Sequence, residues 1–66
     1  VLKSAPHFQG TREFLTVEQG RVRVTSAEET TELNRGDSGS YRADVSHAIA
    51  NLAKGDSTVF LVVIYQ

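Results

Sequence analysis

The sequence contains no cysteine, and this absence removes two common ways of stabilising a short chain. Neither a disulfide framework nor a thiolate zinc site can form, so the hydrophobic core must hold the fold by itself. With 66 residues the chain forms one domain at most, residues 1–66, and its core is marginal. We therefore expect a partner chain or a larger surrounding protein, and a reducing cytoplasm as the compartment.

A basic patch and a long apolar run are also missing. Seven Lys and Arg residues balance eight Asp and Glu residues, and the arginines are scattered along the chain. This distribution argues against direct nucleic-acid binding by the domain. No apolar stretch approaches the roughly 20 residues that cross a bilayer, and the opening residues lack the pattern of a secretory signal. The sequence predicts a soluble protein with no membrane contact.

What is present is a series of short segments divided by turn residues, which is typical of an all-β domain. The predicted strands cover residues 13–18, 21–25, 30–34, 38–43, 44–52 and 58–66. Helical spacing fits 44–52 nearly as well, but its neighbours are all short strands and turns, and this context favours a strand. The segment 58–66 is apolar on both faces, which predicts burial on both sides, inside the barrel or against another chain.

One residue does not fit the strand pattern. Glu13 has the same parity as Leu15 and Val17, so its side chain is predicted to point into the core. A buried carboxylate is costly unless it is paired. We therefore expect Glu13 to face a metal ion, a cationic ligand or a hydrogen-bonding partner such as His7 or His47.

The spacing around Glu13 resembles the first sequence motif of the cupin superfamily. That motif has two histidines one residue apart, then a glutamate, then a glycine. His7, Glu13 and Gly20 match it, whereas Gln9 replaces the second histidine and Val1 stands where a leading glycine would be. The first motif is therefore matched in part, with one ligand position altered.

A second segment resembles the second cupin motif. Gly36, His47 and Asn51 occupy the motif's glycine, histidine and asparagine positions, while Arg42 and Asp44 stand where proline and glycine would be. Together the two motifs cover nearly the whole chain. The resemblance implies a small cupin-type antiparallel β-barrel, or jelly roll, that is truncated at its N-terminus.

In cupins the motif side chains converge inside the barrel on one divalent metal, because imidazole and carboxylate groups suit such ions. The resemblance therefore implies a zinc, iron, manganese or nickel site. Its ligands would be His7, Gln9, Glu13 and His47. A small-molecule pocket would be lined by these four residues together with Leu15 and Val17. An amide oxygen is a weak ligand, so we expect lower metal affinity than in a site with three histidines.

Two longer stretches of the sequence indicate a more specific function. The stretches "GTREFLTVEQGRVRV" and "LNRGDSGSYRADVSHAIANLAKGDSTVFLVVIY" resemble the C-terminal sensor domain of XRE-type bacterial transcription regulators. The resemblance implies a ligand-sensing cupin, with DNA bound by a missing N-terminal helix-turn-helix domain. If N-terminal strands are absent, a bare sheet edge invites pairing between chains, so we expect a homodimer.

Two alternatives remain open. A small metal-dependent enzyme, of dioxygenase or isomerase type, would use His7, Glu13 and His47 to hold the metal, and Tyr41 is the one loose candidate for a general acid or base. A barrel that binds no ligand and serves only to dimerise is the other. A purely structural interpretation of the site residues is that Glu13 hydrogen-bonds a buried polar neighbour, that His47 is a satisfied core histidine and that His7 is an exposed loop residue.

Overall fold

The computed structural model describes residues 2–4 and 9–65. The regular elements in these residues are all β-strands, and none is a helix that could cross a membrane. In chain order they are β1 (Leu2–Ser4), β2 (Arg12–Gln19), β3 (Arg21–Ser26), β4 (Glu29–Asn34), β5 (Ser38–Arg42), β6 (His47–Asn51) and β7 (Thr58–Ile64). The predicted all-β class is confirmed, and 44–52 contains a strand as expected. The short strand β1 was not predicted.

The strands form two antiparallel sheets, which is the arrangement of a small jelly roll. One sheet has the order β1-β6-β3-β4 and the other has the order β5-β2-β7. Strand β2 lies at the centre of the second sheet and pairs along most of its length with both β5 and β7. The residues of β2 are therefore fixed from both sides, which makes it the strand best able to position a buried polar group.

The core is one apolar cluster shared by the two sheets. Strand β2 contributes Leu15 and Val17, and the opposite sheet contributes Val22 and Val24 from β3 and Leu33 from β4. All five are buried, as strict alternation along β2 and β3 predicts. Burying one such side chain contributes about 1.5–3 kcal/mol. This cluster therefore holds the two sheets together and sets which faces point inward.

Strand β7 differs from its prediction. It is an edge strand beside β2, and Phe60, Val62 and Ile64 are 62%, 54% and 43% exposed. The expectation that both faces are buried inside the barrel is wrong, because only one neighbouring strand and one sheet face are available to an edge strand. The other expectation, that this strand packs against a second chain, stays a prediction.

The turn between β2 and β3 depends on a glycine and on a hydrogen-bond network that involves Ser57 and Asn51. Gly20 has a φ of +87°, and a Cβ atom placed there would lie 2.1 Å from Ser57 Oγ. Ser57 Oγ accepts the Arg21 N–H at 3.1 Å and donates to Asn51 Oδ1 at 2.6 Å. Asn51 Oδ1 also accepts the Ala53 N–H. Gly20 and Asn51, both in the cupin motifs, therefore connect the loop after β6 to the β2–β3 turn.

Three glycine-to-alanine variants separate backbone strain from steric conflict. We expect Gly20→Ala to lose about 2–3 kcal/mol of unfolding free energy, since it adds both a left-handed backbone cost and a clash with Ser57. Gly36 has the same φ of +87° but open space around it, so Gly36→Ala should lose only about 1 kcal/mol. Gly55→Ala is the control, because Gly55 has open space and no left-handed φ. Urea unfolding of the three variants measures the order, and equal losses at Gly20 and Gly36 would contradict the steric role of Ser57.

Candidate functional site

Glu13 occupies a buried position in the middle of the β5-β2-β7 sheet. It lies opposite Tyr41 on β5 and Val63 on β7, and its side chain points to the face that carries Leu15 and Val17. The residue is 4% exposed. The inward orientation that alternation predicts for this glutamate is therefore present, and its carboxylate needs partners within the barrel.

Two side chains from different sheets meet the Glu13 carboxylate. The hydroxyl of Tyr41 donates to Oε1 at 2.6 Å, and Nε2 of His47 lies 3.5 Å from Oε2. The pKa of Tyr41 is raised well above its usual range, first because the ring is partly buried and then because its proton is held by Glu13. Tyr41 therefore stays protonated at neutral pH and acts as a donor to the carboxylate.

His47 begins β6 and is held by the backbone just before it. Its Nδ1 atom lies 2.8 Å from the carbonyl oxygen of Val45, and a carbonyl can only accept, so Nδ1 carries a proton. That contact turns Nε2 toward Glu13. The rings of Tyr41 and His47 are 6.1 Å apart at 48°, so the three side chains form one cluster across both sheets.

Two of the four expected metal ligands have the right chemistry and spacing. A ligand atom binds zinc at about 2.1 Å, so two ligands of one ion are at most about 4.2 Å apart. Nε2 of His47 and Oε2 of Glu13, 3.5 Å apart, satisfy this limit. Among the described residues, however, no group of three or more His, Cys, Asp and Glu is placed to hold an ion. Glu13 and His47 fit a metal as a pair that needs further ligands.

The remaining predicted site residues are placed differently. Leu15 and Val17 are packed in the core cluster, 0% and 1% exposed, on the same face of β2 as Glu13, and neither lines the cleft between β4 and β5. Gln9 is exposed in the turn before β2, apart from the buried position of Glu13. His7 lies outside the described residues. The structure thus brings together Glu13 and His47 and adds Tyr41, which sequence analysis named only as a candidate acid or base.

A cleft of about 670 Å³ opens between the edges of the two sheets, where β4 and β5 face each other. Its walls come from the ends of β2 and β3, from β4 and β5, and from the loop before β6. The lining residues are Arg12, Val24, Ser26, Ala27, Glu28, Glu29, Thr31, Leu33, Gly39, Ser40, Tyr41, Arg42 and Val45. Sequence analysis missed this cleft because β4 and β5, although consecutive along the chain, belong to different sheets and do not pair with each other.

Tyr41 connects the cleft to the buried cluster. Its ring lines the cleft, and its hydroxyl reaches Glu13 in the core. Alternation along β5 is the available sequence signal, because Tyr41 lies directly opposite Glu13 and so shares its inward face. A molecule in the cleft would contact the same side chain that holds the buried carboxylate.

A second polar cluster fixes the rim of the cleft. Asp44 accepts two hydrogen bonds from the Arg42 guanidinium, at 2.9 and 3.2 Å, and one from the Gly10 N–H at 2.9 Å. Its side chain is 7% exposed, whereas that of Arg42 is 61% exposed. The Arg42 hydrogen bonds, followed by that of Gly10, lower the pKa of Asp44 to about 2. The two residues that depart from the second cupin motif thus tie β5 to the turn before β2.

Comparison with known proteins agrees with this geometry. The family model described as "Cupin domain" matches residues 3–65. The crystal structure of an HTH_3 family transcriptional regulator from Vibrio cholerae matches with a TM-score of 0.91 and 26% sequence identity. The match covers 98% of this chain and 36% of that one, so the chain spans about a third of the regulator's length. A search of curated proteins found no match.

The Asp44 cluster makes stability depend on acid pH. Because its folded pKa of about 2 lies below the ordinary value of 3.8, the ionised form stabilises the fold. That contribution is complete above about pH 4 and is lost as pH falls through 2. Asp44→Asn should therefore lower the melting temperature at pH 7, and the difference from wild type should shrink between pH 4 and 2. Asp56→Asn, at an exposed loop position, is the control, and a pH-independent difference for Asp44→Asn would contradict this linkage.

Proposed function

The chain belongs to the cupin family, and from that premise we propose that it is a ligand-sensing, non-catalytic domain of a bacterial transcription regulator. The observation that carries the proposal is the likeness to the Vibrio cholerae regulator over 98% of this chain. In this proposal the domain does not touch DNA. A helix-turn-helix domain elsewhere in the regulator would bind the operator, in the cytoplasm.

The cleft and the buried cluster supply the sensing site. An entering molecule would pack on Tyr41 and on the apolar floor near Leu33, and Tyr41 would connect it to the Glu13–His47 pair. A volume of about 670 Å³ falls in the range of small-molecule sites. Because Tyr41 contacts both the cleft and Glu13, occupancy of the cleft would change how the two sheets pack, and thereby bias the arrangement of the attached domains.

Catalysis is less well supported than sensing. Tyr41 is the acid or base candidate that the sequence suggests, and its raised pKa together with its short hydrogen bond to Glu13 keeps the phenol proton in place. A general acid or base works best when its pKa lies near the working pH. The side chain is therefore suited to holding Glu13, and poorly suited to moving protons in a reaction.

A divalent metal is the second part of the proposal. Glu13 through Oε2 and His47 through Nε2 would hold it, with His7 as the further ligand predicted from the sequence. When bound, the ion would supply a positive charge that attracts an anionic group of the sensed molecule. The Val45 carbonyl would keep His47 in the tautomer that presents Nε2.

Glu13→Gln tests the site without removing its packing, because the amide oxygen still accepts from Tyr41. Zinc chloride and a panel of amino acids, short peptides, nucleosides and carboxylic acids are added to both proteins, and melting temperatures are recorded. We expect zinc and at least one compound class to raise the melting temperature of the wild type by several degrees, since ligands that bind the folded state stabilise it. Glu13→Gln should need at least about a tenfold higher ligand concentration than the wild type for the same rise in melting temperature.

The control for this experiment is Glu18→Gln, which removes an exposed carboxylate from the same strand. It should respond like the wild type. No shift with any compound, or equal shifts in Glu13→Gln and the wild type, would remove the sensing site from this cluster. A shift with organic compounds but not with zinc would remove the metal from the proposal and leave the sensing role.

We also propose that the domain is a homodimer that uses the outer face of the β5-β2-β7 sheet. Phe14 on β2 lies opposite Val62 on β7, and Phe60 and Ile64 lie on the same side of the sheet. These four side chains are 41–62% exposed and form one contiguous apolar patch. Apolar patches of this kind commonly mark contact sites between proteins.

Introducing charge into this patch should separate the dimer. Light scattering at micromolar concentration is expected to give the wild type twice the 7.2 kDa chain mass and the Phe60→Asp/Val62→Asp double variant the mass of one chain. Thr30→Asp, at an exposed position of β4 in the other sheet, should leave the dimer intact. A wild type of single-chain mass, or a double variant that stays dimeric, would show that this face is not the interface.

A further inference from the structure

The cleft between β4 and β5 has an apolar floor with space above it. Val24 and Leu33 form the floor on one sheet, and the ring of Tyr41 lies on the other. Gly39 faces Leu33 across the gap, and a Cβ atom there would lie 3.4 Å from Leu33 Cδ1. Any larger residue at Gly39 would project into this space. The floor suits the hydrocarbon part of a ligand.

One wall carries a carboxylate that faces the cleft. Glu29 pairs with Ser26 at the start of β4 and shares the inward face of Thr31 and Leu33. It lines the cleft and is exposed to solvent there. Within residues 9–65 no basic group lies in ion-pair contact with it; the acidic pairs that do form, such as that of Glu32, involve other residues. Glu29 is therefore available to a positively charged group.

The mouth of the cleft carries a cation from the opposite sheet. Arg12 has the outward parity of Phe14 on β2, and its side chain reaches Ser40 Oγ at the β5 edge, with Nε at 3.2 Å and Nη2 at 3.0 Å, where it forms part of the cleft lining. In the part of the chain that the structure describes, Arg12 has no carboxylate partner, whereas the charge of Arg42 is taken up by Asp44. The Ser40 hydroxyl thus holds the Arg12 side chain in place and leaves its charge available to an anion.

We propose that the cleft binds a zwitterion whose ammonium and carboxylate ends are separated by an apolar body. The ammonium end meets Glu29, the carboxylate end meets Arg12, and the apolar body covers Leu33 and the ring of Tyr41. Arg12 and Glu29 belong to different sheets, and facing sheets are about 10 Å apart, so the two ligand charges must lie several ångströms from each other. A short apolar peptide with free termini has this form. The inference rests on the proposed sensing function and names its ligand class.

Three probes with the same apolar body test the class. They are the dipeptide leucyl-leucine, its N-acetyl form, which lacks the ammonium group, and its C-terminal amide, which lacks the carboxylate. Titration calorimetry should show the free dipeptide binding about two- to fivefold more tightly than either capped form. Losing a single ion pair at a partly exposed rim raises the dissociation constant by about this factor.

Two variants test which residue contacts each charged end of the dipeptide. Glu29→Gln should weaken the binding of the free dipeptide and of the amide by about the same factor, and should leave the binding of the N-acetyl form unchanged. Arg12→Gln should weaken the binding of the free dipeptide and of the N-acetyl form, and should leave the binding of the amide unchanged. Glu18→Gln and Arg23→Gln, which change exposed residues outside the cleft lining, are the matched controls and should bind all three probes like the wild type.

The outcomes separate this inference from the proposed function. Equal binding of the three probes, tighter binding of a capped form, or no binding at millimolar concentration overturns the zwitterion class. If compounds of another class still stabilise the wild type through Glu13, the sensing function stands while the ligand class falls. If no compound stabilises the wild type, both fall. If Glu29→Gln and Arg12→Gln bind the three probes with the same affinities as the wild type, these two residues do not hold the ends of the ligand and the proposal is wrong.

Discussion

A carboxylate buried between two sheets must be hydrogen-bonded, and the position of Glu13 places that requirement at the centre of this fold. The Tyr41 hydroxyl donates to this carboxylate from the neighbouring strand of the same sheet, and Nε2 of His47 approaches its second oxygen to 3.5 Å from the opposite sheet. His47 is in turn fixed by the Val45 carbonyl. The polar cluster therefore links both sheets beside the apolar core, in a chain too short to rely on a large hydrophobic core.

The open side of the barrel follows from how few strands the sheets have. Strands β4 and β5 are both edges and do not pair, and the hydrogen bond from Ser26 Oγ to the Arg42 carbonyl spans the gap between the two sheets. This leaves a cleft that leads to Tyr41. The edge that backbone pairing leaves uncovered thus becomes the approach to the buried polar cluster, as the proposed sensing function requires.

Much of the fold was predictable because its signals are local. Alternation along 21–25 and glycines at Gly20 and Gly36 marked strands and turns, and parity alone indicated that Glu13 points inward. The site was predictable in part: Glu13 and His47 come together, Gln9 is exposed, and His7 lies outside the described residues. The burial of β7 was misjudged because an apolar sequence does not reveal whether its strand has one neighbour or two.

By itself, the sequence determined the all-β class, the inward face of each main strand and the need for a partner at Glu13. These properties depend on the two-residue period of a strand and on the cost of burying charge, both of which can be evaluated residue by residue. The hydrogen bond from Tyr41 to Glu13, the edge position of β7 and the cleft between β4 and β5 emerge from the three-dimensional packing of the chain. Strand order and sheet spacing decide such contacts, and they are set by packing of the whole chain.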